Sequence, residues 1–129
     1  MSDLINSASM TLLEKGLDAV WRRQQVISNN IANAATPGYK SKSLEFEEVL
    51  ARQISRTGLT EEELIDALEK AEPALAENNN TIAREDGNNV NLDKENVELA
   101  RSQMQYNYMV DSLNAQINRL KYVITEGRG

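Results

Sequence analysis

The sequence predicts a mainly α fold: long N- and C-terminal heptad helices pack as a coiled-coil-like pair, with a short irregular acidic segment between them. Three observations predict it. Apolar residues recur at alternating three- and four-residue spacings near both ends of the chain. Charge divides the same way: residues 45–95 hold 14 Asp/Glu and 5 Lys/Arg, a net of −9, and the remainder has a net of +3. The 129 residues are 40% hydrophobic but only 5% aromatic, so a core has to come from helix packed on helix. The two ends are chemically alike and the middle reads as an insert. Three regions follow: 1–40, a helix and the turn that ends it; 41–90, a variable acidic middle; and 91–129, a second long helix.

The first helix is read from Met10, Leu13, Leu17, Val20, Ile27, Ile31 and Ala34, with Gln24 at the one polar seam position. This is an a/d heptad stripe over about three and a half heptads, or roughly 36 Å of helix. Thr11-Leu12-Leu13-Glu14 has capping-box spacing, although the seam already includes Met10. Residues 1–9 are expected to be helical only in a complex. Gly16 costs about 1 kcal/mol relative to alanine. Trp21 is expected to widen the buried face, with Arg22 and Arg23 solvated.

The helix must stop at Asn30-Ile31-Ala32-Asn33-Ala34-Ala35-Thr36-Pro37-Gly38-Tyr39-Lys40. Thr36 precedes proline and is pushed toward extended geometry. Pro37-Gly38 fits the central positions of a type II turn, where glycine supplies the positive φ. Tyr39 leaves the turn with a ring to pack.

In the middle, Leu44, Phe46, Val49, Leu50 and Ile54 mark a short apolar-faced segment ended by Arg56-Thr57-Gly58. Leu44-Glu45-Phe46 also suits an extended strand. Thr60-Glu61-Glu62-Glu63 is a capping box, and the short helix after it has Leu64, Ile65 and Leu68 as its face and Pro73 as its stop. Its three adjacent carboxylates do not share one helix face, so they are not a metal or acid/base cluster. Asn78-Asn79-Asn80 and Asp86-Gly87-Asn88-Asn89 have turn composition, and residues 73–88 are expected to be the least ordered part.

The heptad returns at Leu92, Leu99, Tyr106, Val110, Leu113, Ile117, Leu120 and Ile124, with Asn96 and Gln103 at polar seam positions and Met104, Met109 and Val123 broadening the stripe. Polar seam positions lower stability but fix register. Asn91 or Asp93 suits the cap at its start and Gly127 the cap at its end. The stripe covers about four and a half heptads, roughly 48 Å. The two seams pair with each other or with neighbours' seams, and the surplus length of the second favours contacts beyond the chain.

Composition also excludes functions. With no histidine and no cysteine, the commonest general base, the commonest metal ligand and any disulfide are missing. No convergent reactive groups are signalled, so no enzyme, cofactor, metal or small-molecule substrate is expected. The net charge of −6 argues against nucleic acid as the partner. Asp3, Glu14 and Asp18 interrupt the N-terminal region, so no cleavable signal peptide is expected. No apolar run approaches the ~18 residues of a membrane span.

The string Asn30-Ile31-Ala32-Asn33-x-x-Thr36-Pro37-Gly38-Tyr39 resembles the signature of bacterial flagellar rod and hook proteins. A second element, Asn89-Val90-Asn91-Leu92-x-x-Glu95 before a heptad helix, looks like that family's C-terminal motif. Asp86-Gly87-Asn88-Asn89-Val90, Leu44-x-Phe46 and the chain's size are most similar to the proximal-rod type. The resemblance covers about residues 10–56 and 86–126. Ala35 departs from it, since the family commonly has Asn or Asp there; Asn33 or Thr36 must serve the local carbonyls and amides instead.

The resemblance implies a structural subunit of the flagellar basal-body rod in the periplasm, exported by the flagellar type III apparatus without a cleaved signal. Its implied partners are other rod subunits, the membrane-ring/rod adaptor protein and the export apparatus, in homo- and hetero-oligomeric helical assembly that transmits torque. Asn30, Ile31, Ala32, Asn33, Thr36, Pro37, Gly38 and Tyr39 would shape the elbow. Leu13, Leu17, Val20, Ile27, Ile31, Leu99, Tyr106, Val110, Leu113, Ile117, Leu120 and Ile124 would form the assembly seam. The alternative reading is a cytoplasmic helical adaptor or type III secretion chaperone, which would form a closed dimer.

Overall fold

The computed structural model describes residues 2–55, 60–79 and 81–127. Helix α1 spans Ser2–Ala32, β1 Lys42–Glu45, α2 Glu47–Ser55, α3 Glu61–Lys70, β2 Ala74–Glu77 and α4 Leu92–Glu126. The chain is mainly α, and its long terminal helices pack on each other as expected. They are antiparallel and in step. Asn30 on α1 meets Glu95 on α4, and Gly16 meets Met109. The step from 30 back to 16 and the step from 95 on to 109 are both fourteen residues, or two heptads, so one shared seam runs down the pair.

Helix α1 begins at Ser2, not near Met10, so Thr11 is an interior residue and not a cap. At 31 residues α1 is about 46 Å long, against about 52 Å for the 35 residues of α4. The expected surplus of the second helix therefore shrinks to about one turn. Gly16 is buried, and a Cβ there would lie 2.7 Å from the Met109 Cε. The glycine makes a hole for that methionine.

Near the elbow the pair is covered. Strands β1 and β2 pair antiparallel, with Leu44 opposite Leu75, and α3 lies on α1. Ala19, Val20, Ile27, Phe46, Ala67, Leu68, Ala71 and Val90 form the core there. Thr60 caps α3, its hydroxyl accepting from the Glu63 amide at 3.4 Å. Asn91 caps α4 by accepting from the Lys94 amide at 3.2 Å. Gly127 ends α4 in an ordinary helical conformation, φ −66°, so its conformational freedom is not used. The Arg56-Thr57-Gly58 stop lies outside the described residues.

Three expectations are corrected. Trp21 does not widen the buried face: it is 51% exposed, and the inward positions beside it are taken by the buried Ala19 and Val20. Arg23 is not solvated, since it grips Glu47 through two bonds at 2.9 and 2.6 Å and donates to the Leu44 carbonyl. The described residues of the 73–88 stretch, 73–79 and 81–88, carry strand β2 and asparagine bonds to the elbow.

Candidate functional site

The elbow is built from the end of α1 outward. The Thr36 amide donates to the Asn33 carbonyl at 3.1 Å, and the Tyr39 amide donates to the Thr36 carbonyl at 3.2 Å. The latter closes a four-residue turn around Pro37-Gly38. Gly38 has φ +74°, as a type II turn requires at that position. The Asn33 side chain donates to the Asn29 carbonyl at 2.8 Å, and the Thr36 hydroxyl donates to Asn33 Oδ1 at 3.1 Å. Asn33 thus serves a local carbonyl, as expected of it, while the Thr36 hydroxyl serves the Asn33 side chain.

Three buried asparagines hold the turn in place. Asn30 is wholly enclosed and uses its full amide capacity. Its Nδ2 donates to the Lys42 carbonyl at 2.7 Å and to Glu95 Oε2 at 3.2 Å. Its Oδ1 accepts from the Tyr39 hydroxyl and the Lys42 amide, each at 3.0 Å. One side chain thus ties α1, the turn exit, β1 and α4 together. Asn88, also wholly enclosed, donates to the carbonyls of Asn33 and Thr36 at 2.9 Å each and accepts from the Val90 amide at 2.8 Å. Asn89 accepts from the Ser41 amide at 2.6 Å and donates to the Asn78 carbonyl and the Thr81 hydroxyl. Arg84 donates to the Ala34 carbonyl and Lys40 to the Gly87 carbonyl.

Two glycine turns meet backbone to backbone here. The Gly38 amide donates to the Asp86 carbonyl at 2.8 Å. Gly87 has φ +83°, and a Cβ on it would stand 3.4 Å from the Gly38 Cα. The Asp86-Gly87-Asn88-Asn89 string is therefore the second half of the elbow.

Glu95 is buried at 6% exposure. Burial pushes its carboxyl above the ordinary range and the Glu98 charge adds to this, while the Asn30 bond and the Lys94 charge pull the other way. Burial, and then the Glu95 charge, raises the Tyr39 phenol. The Arg23 bonds hold Glu47 below the ordinary carboxylate range. Every described buried side-chain polar atom has a partner, and much of this network is spent on backbone amides and carbonyls. Among the described residues no cluster of His, Cys, Asp or Glu suits a metal ion.

The expected elbow residues come together, but unequally. Asn30, Asn33, Thr36 and Tyr39 make the bonds, Pro37 and Gly38 shape the exposed turn, Ile31 is half-buried and Ala32 faces outward. On the seam, Val20 and Ile27 are closed within the chain; Leu13, Leu17, Ile31, Leu99, Val110, Leu113, Ile117 and Leu120 are half-buried; Tyr106 and Ile124 are exposed. The polar seam positions differ from expectation. Asn96 and Gln103 are exposed, and Glu95 and Ser102, each one residue earlier, turn inward. The Asn30 amide demands an acceptor there, and that rotates this end of α4.

The Flagella basal body rod protein family model matches residues 12–40, which include the whole N-terminal half of the elbow. Across its length the chain is 35% identical to the flagellar basal body rod protein FlgB of Bacillus subtilis, over 95% of this chain and 97% of that one. The chain belongs to the FlgB family of flagellar basal body rod proteins. Identity to the FlgB of Aeromonas hydrophila is 32% over 77% of this chain and 79% of that one. For the FlgB of Escherichia coli K12 it is 29% over 93% and 95%.

Placing the chain in the FlgB family fits a site that holds shape. Sequence reasoning did not assign Asn88, Asn89, Glu95 and Arg84 to it. The signal was present for three of them, since Asn88, Asn89 and Glu95 lie in the second motif. Nothing in spacing alone showed that this motif folds onto the first.

Proposed function

We propose that this chain is a structural subunit of the proximal rod, assembling helically with further copies and with other rod subunits to carry torque. Its partners on this reading include the membrane-ring/rod adaptor protein and the export apparatus, which passes it to the periplasm without a cleaved signal. The elbow residues set the direction in which the helix pair leaves the folded middle.

The observation that carries the reading is the unequal closure of the helix pair. At the elbow end, Val20 and Ile27 are buried. At the far end Ala8 is buried but the large seam residues Leu13, Leu17, Leu113, Ile117 and Leu120 are only half-buried. A two-helix pair covers the facing side of its seam, and bundles complete the cover with further helices. A row of half-covered apolar residues at heptad spacing therefore calls for neighbours along the same axis. The test is electron microscopy of basal bodies purified from a strain lacking the gene. Missing rods, restored by the gene on a plasmid, are expected. Intact rods there would end this reading.

A further inference from the structure

Each long helix carries a second stripe on its outer side. On α4, Val97, Met104 and Tyr108 are 58%, 73% and 75% exposed, and with Arg101 they follow a four-three-four spacing. Val97 and Met104 each lie two residues beyond an inward residue, Glu95 and Ser102, so the stripe points away from α1 by about 200° of helix rotation. On α1, Trp21, Gln25, Ser28 and Ala32 are exposed at the same four-three-four spacing. They line an open groove of about 940 Å³ whose far wall includes Pro73 and Leu75. Both stripes span twelve residues, eleven steps of about 1.5 Å or about 16 Å.

Resting on the rod-subunit reading, we propose that the α4 outer ridge of one copy docks into the α1 groove of a second copy of this chain. The surfaces are complementary. The ridge offers the large Met104 and Tyr108; the groove lining includes the small Ser28 and Ala32 as well as the larger Trp21 and Leu75. Equal spacing lets one row seat between the other, as ridges pack into grooves. The area suffices for a second copy. The chain exposes 8727 Å². A compact monomer of its 14.4 kDa is expected to expose about 6,800 Å², leaving a surplus of about 1,900 Å². A stable interface takes about 800 Å² from each partner, so there is area for one contact on each side of the subunit. Ridge and groove face outward from different helices and are unlike each other, so the contact is head-to-tail and propagates.

The chain has no cysteine, so introduced thiols report this contact without background. Ser28→Cys and Met104→Cys are placed together in the full-length protein, expressed in place of the wild type, and motile cells are mildly oxidised. A ladder of disulfide-linked multimers is expected from the double variant, and none from either single variant. Rods that form and turn without any ladder would overturn the proposed surfaces while leaving the rod reading intact. Dimers from a single variant would overturn them in favour of a two-fold contact. Met104→Asp serves as a second probe: it is expected to leave the helicity of the purified protein unchanged and to abolish rods. Normal swimming of the Met104→Asp strain would also overturn the proposal. Failure of the rod reading itself would show differently, as intact rods in the strain lacking the gene.

Discussion

The Met109 methyl of α4 occupies the space that a side chain on Gly16 would need, 2.7 Å from where a Cβ would stand. The clash is with the free end of a flexible side chain. Gly16→Ala is therefore expected to change stability by less than about 1 kcal/mol, the helix-propensity gain offsetting a shift of Met109. Gly16→Leu cannot be absorbed that way and should cost about 1–3 kcal/mol by splitting the seam. Urea unfolding of both variants distinguishes them; equal loss in the two would contradict this packing.

Asn30 bonds the Lys42 amide and carbonyl, the Tyr39 hydroxyl and Glu95. Asn30→Ala strands several of these groups away from water, at about 1–3 kcal/mol for each one left unpaired. A total above about 3 kcal/mol is expected by chemical denaturation. A loss below 1 kcal/mol would mean that the network is not what holds the elbow.

Burial raises the Glu95 carboxyl above its ordinary value of 4.5. Between that value and the raised one, the folded chain binds more protons than the unfolded chain, so this group's effect on stability worsens as pH rises through the window. Glu95→Gln still offers Asn30 an acceptor and cannot ionise. It should be more stable than the parent at pH 7, with the advantage shrinking toward pH 4. Glu47 acts in the opposite sense: Arg23 lowers its carboxyl, so its contribution is present above the ordinary value and lost as pH falls through the lowered one. Denaturation midpoints across pH 4–8 check both, and an advantage for Glu95→Gln that does not grow with pH would refute the first.

Gly38 sits at φ +74° with open space around the missing side chain, so the demand there is purely on the backbone. Gly38→Val should cost at least about 1–2 kcal/mol and misdirect the helix pair, with impaired swimming. Gly38→Asn, which tolerates the left-handed region, should cost less. Equal effects of the two would count against a backbone origin.

Amide exchange should divide the long helices. Residues 19–32 and 92–105, near the covered elbow end, are expected to be protected, and residues 8–17 and 109–126 to exchange faster in dilute monomer. Leu120→Asp, on the half-covered part, should leave monomer helicity nearly unchanged and block rod assembly, since a carboxylate enclosed between subunits costs several kcal/mol. Loss of helicity with retained swimming would favour the closed-dimer alternative.

The heptad helices were legible because their period is local: Leu13, Leu17 and Val20 declare one face whatever they pack against. The Pro37-Gly38 turn and the Thr60 and Asn91 caps were legible for the same reason. The phase of α4 near Glu95 was not, because a buried carboxylate breaks the apolar pattern and is explained only by an amide 65 positions earlier. Trp21 misled since size suggested burial, while Ala19 and Val20 had the inward positions. Strand β2 was hidden because its pairing partner, β1, stands some thirty residues upstream and both strands are four residues long.

The elbow's bonds have a temporal consequence. Asn88 holds the carbonyls of Asn33 and Thr36 across more than fifty residues, and Glu95 reaches Asn30 across still more. A chain emerging N-terminus first therefore presents α1 long before anything exists to fix its direction. Closing so long a loop is slow compared with forming a helical turn. Until residue 95 is out, the first forty residues can be taken up, straightened or threaded at little cost; afterwards they are bolted. The distance between the two halves of the elbow works as a delay.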